Sequence, residues 1–157
     1  MTTTKVQRKI DSKVGPLFLV ASEEALYGVF WKDQKLAKEQ PGSRQEKLLA
    51  KAERQINEYL AGKRKTFDIP LKLEGTAFQK RVWAELLKIP YGTTKSYKEI
   101  AVSLKNPNAC RAVGTANGRN PISLIVPCHR VINEGGKLGG YAGGLPIKKL
   151  LLTLEKR

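Results

Sequence analysis

The chain has 157 residues, of which 41% are hydrophobic and 27% charged; that is ample for one compact domain or two small ones and excludes global disorder. Twenty-nine Lys and Arg against fourteen Asp and Glu leave a formal charge of +15, more than solubility requires, so a polyanionic partner is expected, nucleic acid first. No stretch approaches the ~20 apolar residues of a membrane span, the start Met1-Thr2-Thr3-Thr4-Lys5 lacks a signal-peptide core, and two cysteines with one histidine make neither a disulfide framework nor a good zinc set. A soluble cytoplasmic protein, nuclear if the source is eukaryotic, with reduced thiols, no metal and no cofactor is therefore predicted.

In chain order, Leu17 to Ala21 and Leu26 to Trp31 are β-rich runs separated by Ser22-Glu23-Glu24, the pattern of an antiparallel hairpin. Ser43 with Glu46 is a capping-box signature, and Leu48, Leu49, Ala52, Ile56, Tyr59 and Leu60 follow at helical spacing, which predicts a helix over about 44 to 61. Phe67, Ile69, Leu71 and Leu73 alternate with polar residues and Pro70, a pattern for a sheet edge or linker. A domain boundary is placed there, between residues 73 and 74. Thr76 with Gln79 opens a second helix carrying Phe78, Val82, Trp83, Leu86 and Leu87 up to Pro90-Tyr91-Gly92. Ser96 with Glu99 opens a third, with Ile100, Ala101 and Leu104 inward. Asn106 as N-cap and Pro107 at the first helical position predict a fourth helix running to Gly118. Two short helices so joined suggest a helix-turn-helix. The second is rich in small residues (Ala109, Ala112, Gly114, Thr115, Ala116), which would let its backbone approach a groove of DNA.

An apolar run from Ile122 to Val126 then delivers Pro127-Cys128-His129-Arg130-Val131, bringing a cysteine and the only histidine together. The thiolate is the nucleophilic form of cysteine, and a neighbouring imidazole or cation is the usual way to populate it below its free pKa of ~8.5. Cys128 is thus the candidate nucleophile, against the alternative of a small buried side chain. The stretch from Asn133 to Gly144 holds six of the fourteen glycines and can wrap a flat ligand closely. It is not a nucleotide-phosphate loop, because Gly135-Gly136-Lys137 is followed by Leu138 where Ser or Thr is needed. Pro146 starts a last helix with Ile147, Leu150, Leu151 and Leu154 inward, bringing Glu155 near its end.

Taken together, Ser96-Tyr97, Arg111-Ala112-Val113-Gly114, Asn120-Pro121, Pro127-Cys128-His129-Arg130-Val131, Gly143-Gly144-Leu145 and Leu154-Glu155 resemble, in order and spacing, the O6-alkylguanine-DNA alkyltransferases over roughly Gly75 to Glu155. The resemblance implies an α/β N-terminal domain with a ribonuclease H-like fold over 1–73, a small antiparallel sheet plus helix with the linker. A mainly α, DNA-binding alkyltransferase domain with the helix-turn-helix would follow over 74–157. The implied activity is that of a methylated-DNA–[protein]-cysteine S-methyltransferase: direct repair of O6-alkylguanine, with O4-alkylthymine a second candidate, by irreversible single-turnover transfer to Cys128 after base flipping. By the same resemblance His129 takes the thiol proton through a water, Glu155 holds the ring, Tyr97 donates to the purine, and Asn120 ties its turn to the strand bearing the nucleophile. Arg111 fills the space of the extruded guanine, Lys98 and Asn106 meet the DNA backbone, and Val131, Tyr141, Ala142 and Gly143 form the substrate pocket. Ser123 and Ala142 stand where some members have proline and serine, and both are expected to line the alkyl pocket. The implied partner is double-stranded DNA, entered at the minor groove with little sequence specificity by a monomer; cooperative clustering on DNA is left open, and no membrane is involved. The intervening water fits an extended chain, in which adjacent side chains point to opposite sides.

Three rivals use the same residues differently. A non-transferring DNA sensor of the alkyltransferase-like type would have another residue at position 128. A cysteine hydrolase would place its base by tertiary folding and would not need +15, and a plain DNA-binding regulator would have no use for Cys128 or Glu155.

Overall fold

A computed structural model describes residues 4–156. The chain forms two compact units, Met1–Leu73 with Pro121–Ile125, and Glu74–Asn120 with Val126–Arg157.

In the first unit three antiparallel strands, β1 (Val6–Ser12), β2 (Gly15–Ala21) and β3 (Leu26–Phe30), lie in the order β1-β2-β3. The hairpin β2–β3 answers the sequence expectation. The strand β1 was not foreseen, because only Val6 and Ile10 of its seven residues are apolar and buried, and its period is obscured by Gln7, Arg8 and Lys9. Its register is fixed by the turn: Gly15 adopts φ +96°, and the Ser12 hydroxyl donates to the Gly15 carbonyl at 2.7 Å. The outer edge of β3 is covered by two short pieces of chain, which blunt a strand edge that would otherwise template pairing. Leu26 N–H donates to Pro70 O at 2.8 Å and Val29 N–H to Pro121 O at 2.9 Å. The helix α1 (Arg44–Leu60) is capped by the Ser43 hydroxyl, which accepts from the Glu46 N–H at 3.1 Å, while the Glu46 carboxylate accepts from Gly42 and not from Ser43. Leu49, Ala52, Ile56 and Tyr59, all fully buried, face β1 and β2. Full burial of a large apolar side chain contributes roughly 1.5–3 kcal/mol.

The second unit contains α2 (Ala77–Leu86), β4 (Lys95–Ser96), α3 (Tyr97–Ser103), α4 (Cys110–Gly118), a 3-10 turn at Cys128–Arg130, β5 (Val131–Ile132) and α5 (Leu145–Glu155). Complete capping boxes open α2 at Thr76/Gln79 and α3 at Ser96/Glu99. The fully buried Trp83 of α2 donates its indole N–H to Ala116 O of α4 at 2.9 Å, and Arg81 donates to Leu104 O, so α2 braces both halves of the helix-turn-helix. Two expectations need correction. The fourth helix starts at Cys110, not after Asn106: Lys105 takes φ +61°, Asn106 N–H donates back to Ala101 O, and Asn106–Ala109 closes a turn before the helix begins. In α5 the buried row is Lys148, Leu151, Leu154 and Glu155, whereas Leu150 is 43% exposed. The row selects its members by facing the nucleophile's turn, so two charged residues displace a leucine.

Candidate active site

Cys128 begins the 3-10 turn that closes the apolar run, with Cys128 N–H donating to Val126 O at 2.8 Å and Arg130 N–H to Pro127 O at 3.0 Å. The backbone here is coiled and not extended, so Cys128 and His129 are not set on opposite sides of a strand, and the expectation of an intervening water loses that geometric reason. Three residues per turn instead fan the side chains of Cys128, His129 and Arg130 about 120° apart. All three are buried, at 3%, 0% and 7% exposure.

Two of the three converge on one carboxylate. His129 Nε2 lies 2.7 Å from Glu155 Oε2. Arg130 grips the same group in a fork, Nε on Oε1 at 2.8 Å and Nη2 on Oε2 at 3.0 Å, and its remaining nitrogen donates to Ile89 O at 2.7 Å. Gly92 N–H adds a donor to Oε1 at 3.2 Å. Gly92 sits at φ +79°, and a Cβ there would stand 3.1 Å from Glu155 O, so glycine is required for this approach. A carboxylate with four donors is saturated as an anion and fixes the tautomer of the imidazole: with Nε2–H given to Glu155, Nδ1 carries the lone pair. Burial pulls the His129 pKa down despite Glu155, which keeps the ring neutral and able to accept a proton.

Burial pushes the Cys128 thiol up to about 11, opposed by its hydrogen bond with the Asn120 side chain and by the charge of Lys148. The resting sulfur is a thiol at neutral pH. Asn120 Nδ2 also donates to Val126 O at 2.8 Å, so this residue ties the Asn-Pro turn to the chain before the nucleophile and touches the nucleophile as well. Asn117 of α4, which sequence reasoning did not select, donates to Cys128 O at 3.3 Å. Its amide is indistinguishable by residue type from any polar helix position.

A cavity of about 630 Å³ opens beside this network, walled by Tyr97, Arg111 and Gly114 from the helix pair, Asn117, and Gly139 to Ala142 of the glycine-rich loop. Tyr97 opens α3, and burial raises the pKa of its phenol, with a further push from Cys128, so it stays a hydrogen-bond donor. Arg111 is exposed on α4 at the cavity. Of the remaining expected residues, Tyr141 and Ala142 line the cavity; Val131 is fully buried, and neither it nor Gly143 is among the lining residues. Lys98 and Asn106 are exposed on the helix-turn-helix, away from the cavity lining. Ser123 belongs to the first unit, where its hydroxyl accepts the Trp31 indole N–H at 3.1 Å, a structural use in place of the expected pocket role. Among the described residues no cluster of three His, Cys, Asp or Glu could hold a metal, and no helix is long and apolar enough to cross a membrane.

Residues 5–73 match the family model described as 6-O-methylguanine DNA methyltransferase, ribonuclease-like domain, and residues 77–157 match 6-O-methylguanine DNA methyltransferase, DNA binding domain. A methylated-DNA–protein-cysteine methyltransferase of Methanosarcina acetivorans is 52% identical over 147 residues, 92% of this chain and 94% of that protein. One of Mycobacterium tuberculosis is 48% identical over 155 residues, 95% of this chain and 91% of its own length. The crystal structure of Mycobacterium tuberculosis OGT in complex with DNA superposes with a TM-score of 0.86 at 48% identity, covering 96% of this chain and 92% of that one.

Proposed function

The chain belongs to the 6-O-methylguanine DNA methyltransferase family, and from that premise we propose that it repairs O6-alkylguanine in DNA by moving the alkyl group onto Cys128, once per molecule. The observation that carries this reading is the buried Cys128 thiol beside a neutral His129 that is clamped through Glu155 by Arg130, next to a cavity of about 630 Å³.

The chemistry is a displacement at carbon. A new S–C bond forms as the C–O6 bond breaks, the thiol proton leaves through a water for His129 Nδ1, and the electron pair released onto the purine is met by a hydrogen bond from Tyr97. Glu155 stabilises the imidazolium that results, following the logic of a catalytic triad. Because burial holds the thiol near 11, the anion exists only when a base and an electrophile are both in place, which spares the sulfur from incidental reagents. No group in the constellation can cleave the thioether formed, so turnover stops at one.

Access requires the base to leave the duplex. The exposed Arg111 at the cavity supports its entry into the stack in place of the guanine, a planar cation offsetting the few kcal/mol of unstacking. The small residues of α4 and the exposed Lys98 and Asn106 favour the minor groove and little sequence preference. The protein acts as a monomer in this reading.

The test is the intact mass of the protein after incubation with duplex DNA carrying O6-methylguanine. One methyl per chain, on the peptide containing Cys128, with no further turnover, is the expected result. Unchanged mass with DNA bound would point to a sensor, and repeated turnover to a hydrolase.

A further inference from the structure

Lys148 is the one lysine whose side chain is wholly buried among the described residues, at 0% exposure, and a buried ammonium is tolerated only where its protons are all used. They are. The Nζ donates to Val131 O at 2.6 Å, to Leu138 O, and to Gly140 O at 3.2 Å. The first of these carbonyls belongs to β5, immediately after the nucleophile's turn, and the other two flank Gly139 in the glycine-rich loop. Gly139 is the tightest point of that loop: it adopts φ +71°, and a Cβ on it would stand 2.9 Å from Tyr97 Oη and 3.2 Å from Tyr97 Cε2. The ammonium also lies 6.0 Å from the centre of the Tyr97 ring.

Resting on the proposed role of Tyr97 at the purine, we infer that Lys148 is a positioning residue which clasps the carbonyls on both sides of Gly139 to β5 and so presses the loop backbone against Tyr97, fixing the phenol and the cavity wall. A carbonyl-only binding set suits this task. Each bond holds main chain, which the loop's missing side chains cannot do, and a single cation spans three acceptors from two segments. The desolvation that lowers the Lys148 pKa to about 8 is the cost of placing the clasp in a dry wall. In α5 Lys148 and Glu155 lie seven residues apart on the same buried row, so one helix holds both the loop and the His129 carboxylate.

The experiment measures single-turnover methyl transfer from saturating O6-methylguanine duplex for the wild type, Lys148→Met and Gly139→Ala, each with Tyr97 intact and in the Tyr97→Phe background. Lys148→Met should lower the maximal rate by up to about a hundredfold, the scale on which a displacement of 1 Å at a reacting site costs, while half-saturation by DNA stays put. With Tyr97→Phe already present the same change should cost far less, because the hydroxyl being positioned is gone. Equal losses in both backgrounds would overturn the inference by reducing Lys148 to general support. If Lys148→Met does not fold, Gly139→Ala carries the test with the ammonium intact: its Cβ should give the same Tyr97-dependent loss, and an unchanged rate would overturn the inference. Hydrogen exchange in the peptide spanning 138–142 supplies a readout independent of transfer. Faster exchange in Lys148→Met is expected; unaltered exchange overturns the clasp, whereas faster exchange in the variant together with no methyl transfer by the wild type would strike the proposed function alone.

Discussion

A thiol pushed up to about 11 is a poor nucleophile at neutral pH until its proton has somewhere to go, and the base proposed to take it is the neutral His129. Two pH dependences separate the sulfur from the base. Reaction of Cys128 with iodoacetamide, followed on its own peptide, should keep rising towards pH 11, because that reagent uses the thiolate directly; levelling near the ordinary thiol range of ~8.5 would mean that burial does not hold the proton on the sulfur. Transfer from DNA uses the neutral imidazole, whose pKa burial lowers from 6.5, so the rate should hold as pH falls to 6.5 and decline only below it. A limb above 6.5 in the single-turnover profile would contradict this. The same clamp predicts a stability effect. Arg130 forks onto a Glu155 carboxylate that is 4% exposed, and removing one partner of a buried pair leaves the other charge uncompensated at about 3–5 kcal/mol. Arg130→Met should therefore lower unfolding free energy by that order in urea titration, and a loss below about 1 kcal/mol, as for an exposed ion pair, would show that the clamp is not buried in solution.

At the level of elements, the two helices that open with full capping boxes and the helix that follows Ser43 were legible because side chain and backbone both signal the start, whereas the helix after Pro107 was misplaced. Asn106 and Pro107 suit an N-terminus equally well as they suit the turn that Lys105 at φ +61° initiates, and local chemistry cannot tell these apart. The strand Val6–Ser12 was hidden for a different reason: it is chosen by its partner's register, not by its own alternation. In the site, Cys128, His129, Glu155 and Tyr97 could be found from a nucleophile beside a base and a matching motif, but Lys148 could not, because a lysine among leucines on a helix reads as a solvated edge. The exposed cations of the helix pair, Lys98, Lys105, Arg111 and Arg119, make a prediction at this scale. If Lys98 meets a phosphate, Lys98→Ala should weaken binding to all duplex sequences alike and reduce the salt slope of log K by about 1. A sequence-dependent loss in fluorescence anisotropy titrations would instead place it at a base edge.

The whole molecule carries its charge excess in both units, fifteen of the 29 basic and nine of the 14 acidic residues preceding Glu74. A net positive charge in both units steers association with a polyanion without demanding that each cation touch it. Repair then has a consequence that spreads through the second unit, because the acceptor is built into its core. Cys128 is 3% exposed, its carbonyl accepts from Asn117 of α4, and its sulfur and the nearby Val126 carbonyl both engage Asn120. Methylation enlarges that sulfur and removes the thiol proton. Overpacking a closed site costs typically about 1–3 kcal/mol, and about 1 kcal/mol moves the melting point of a domain of this size by about 4–8 °C. The strain falls on contacts that join the nucleophile's turn to α4, so the methylated protein should melt several degrees lower and release DNA more readily than the unmodified one. Scanning calorimetry of the two forms, separated by intact mass, decides it: coincident transitions would mean that the pocket already had room for the carbon it receives.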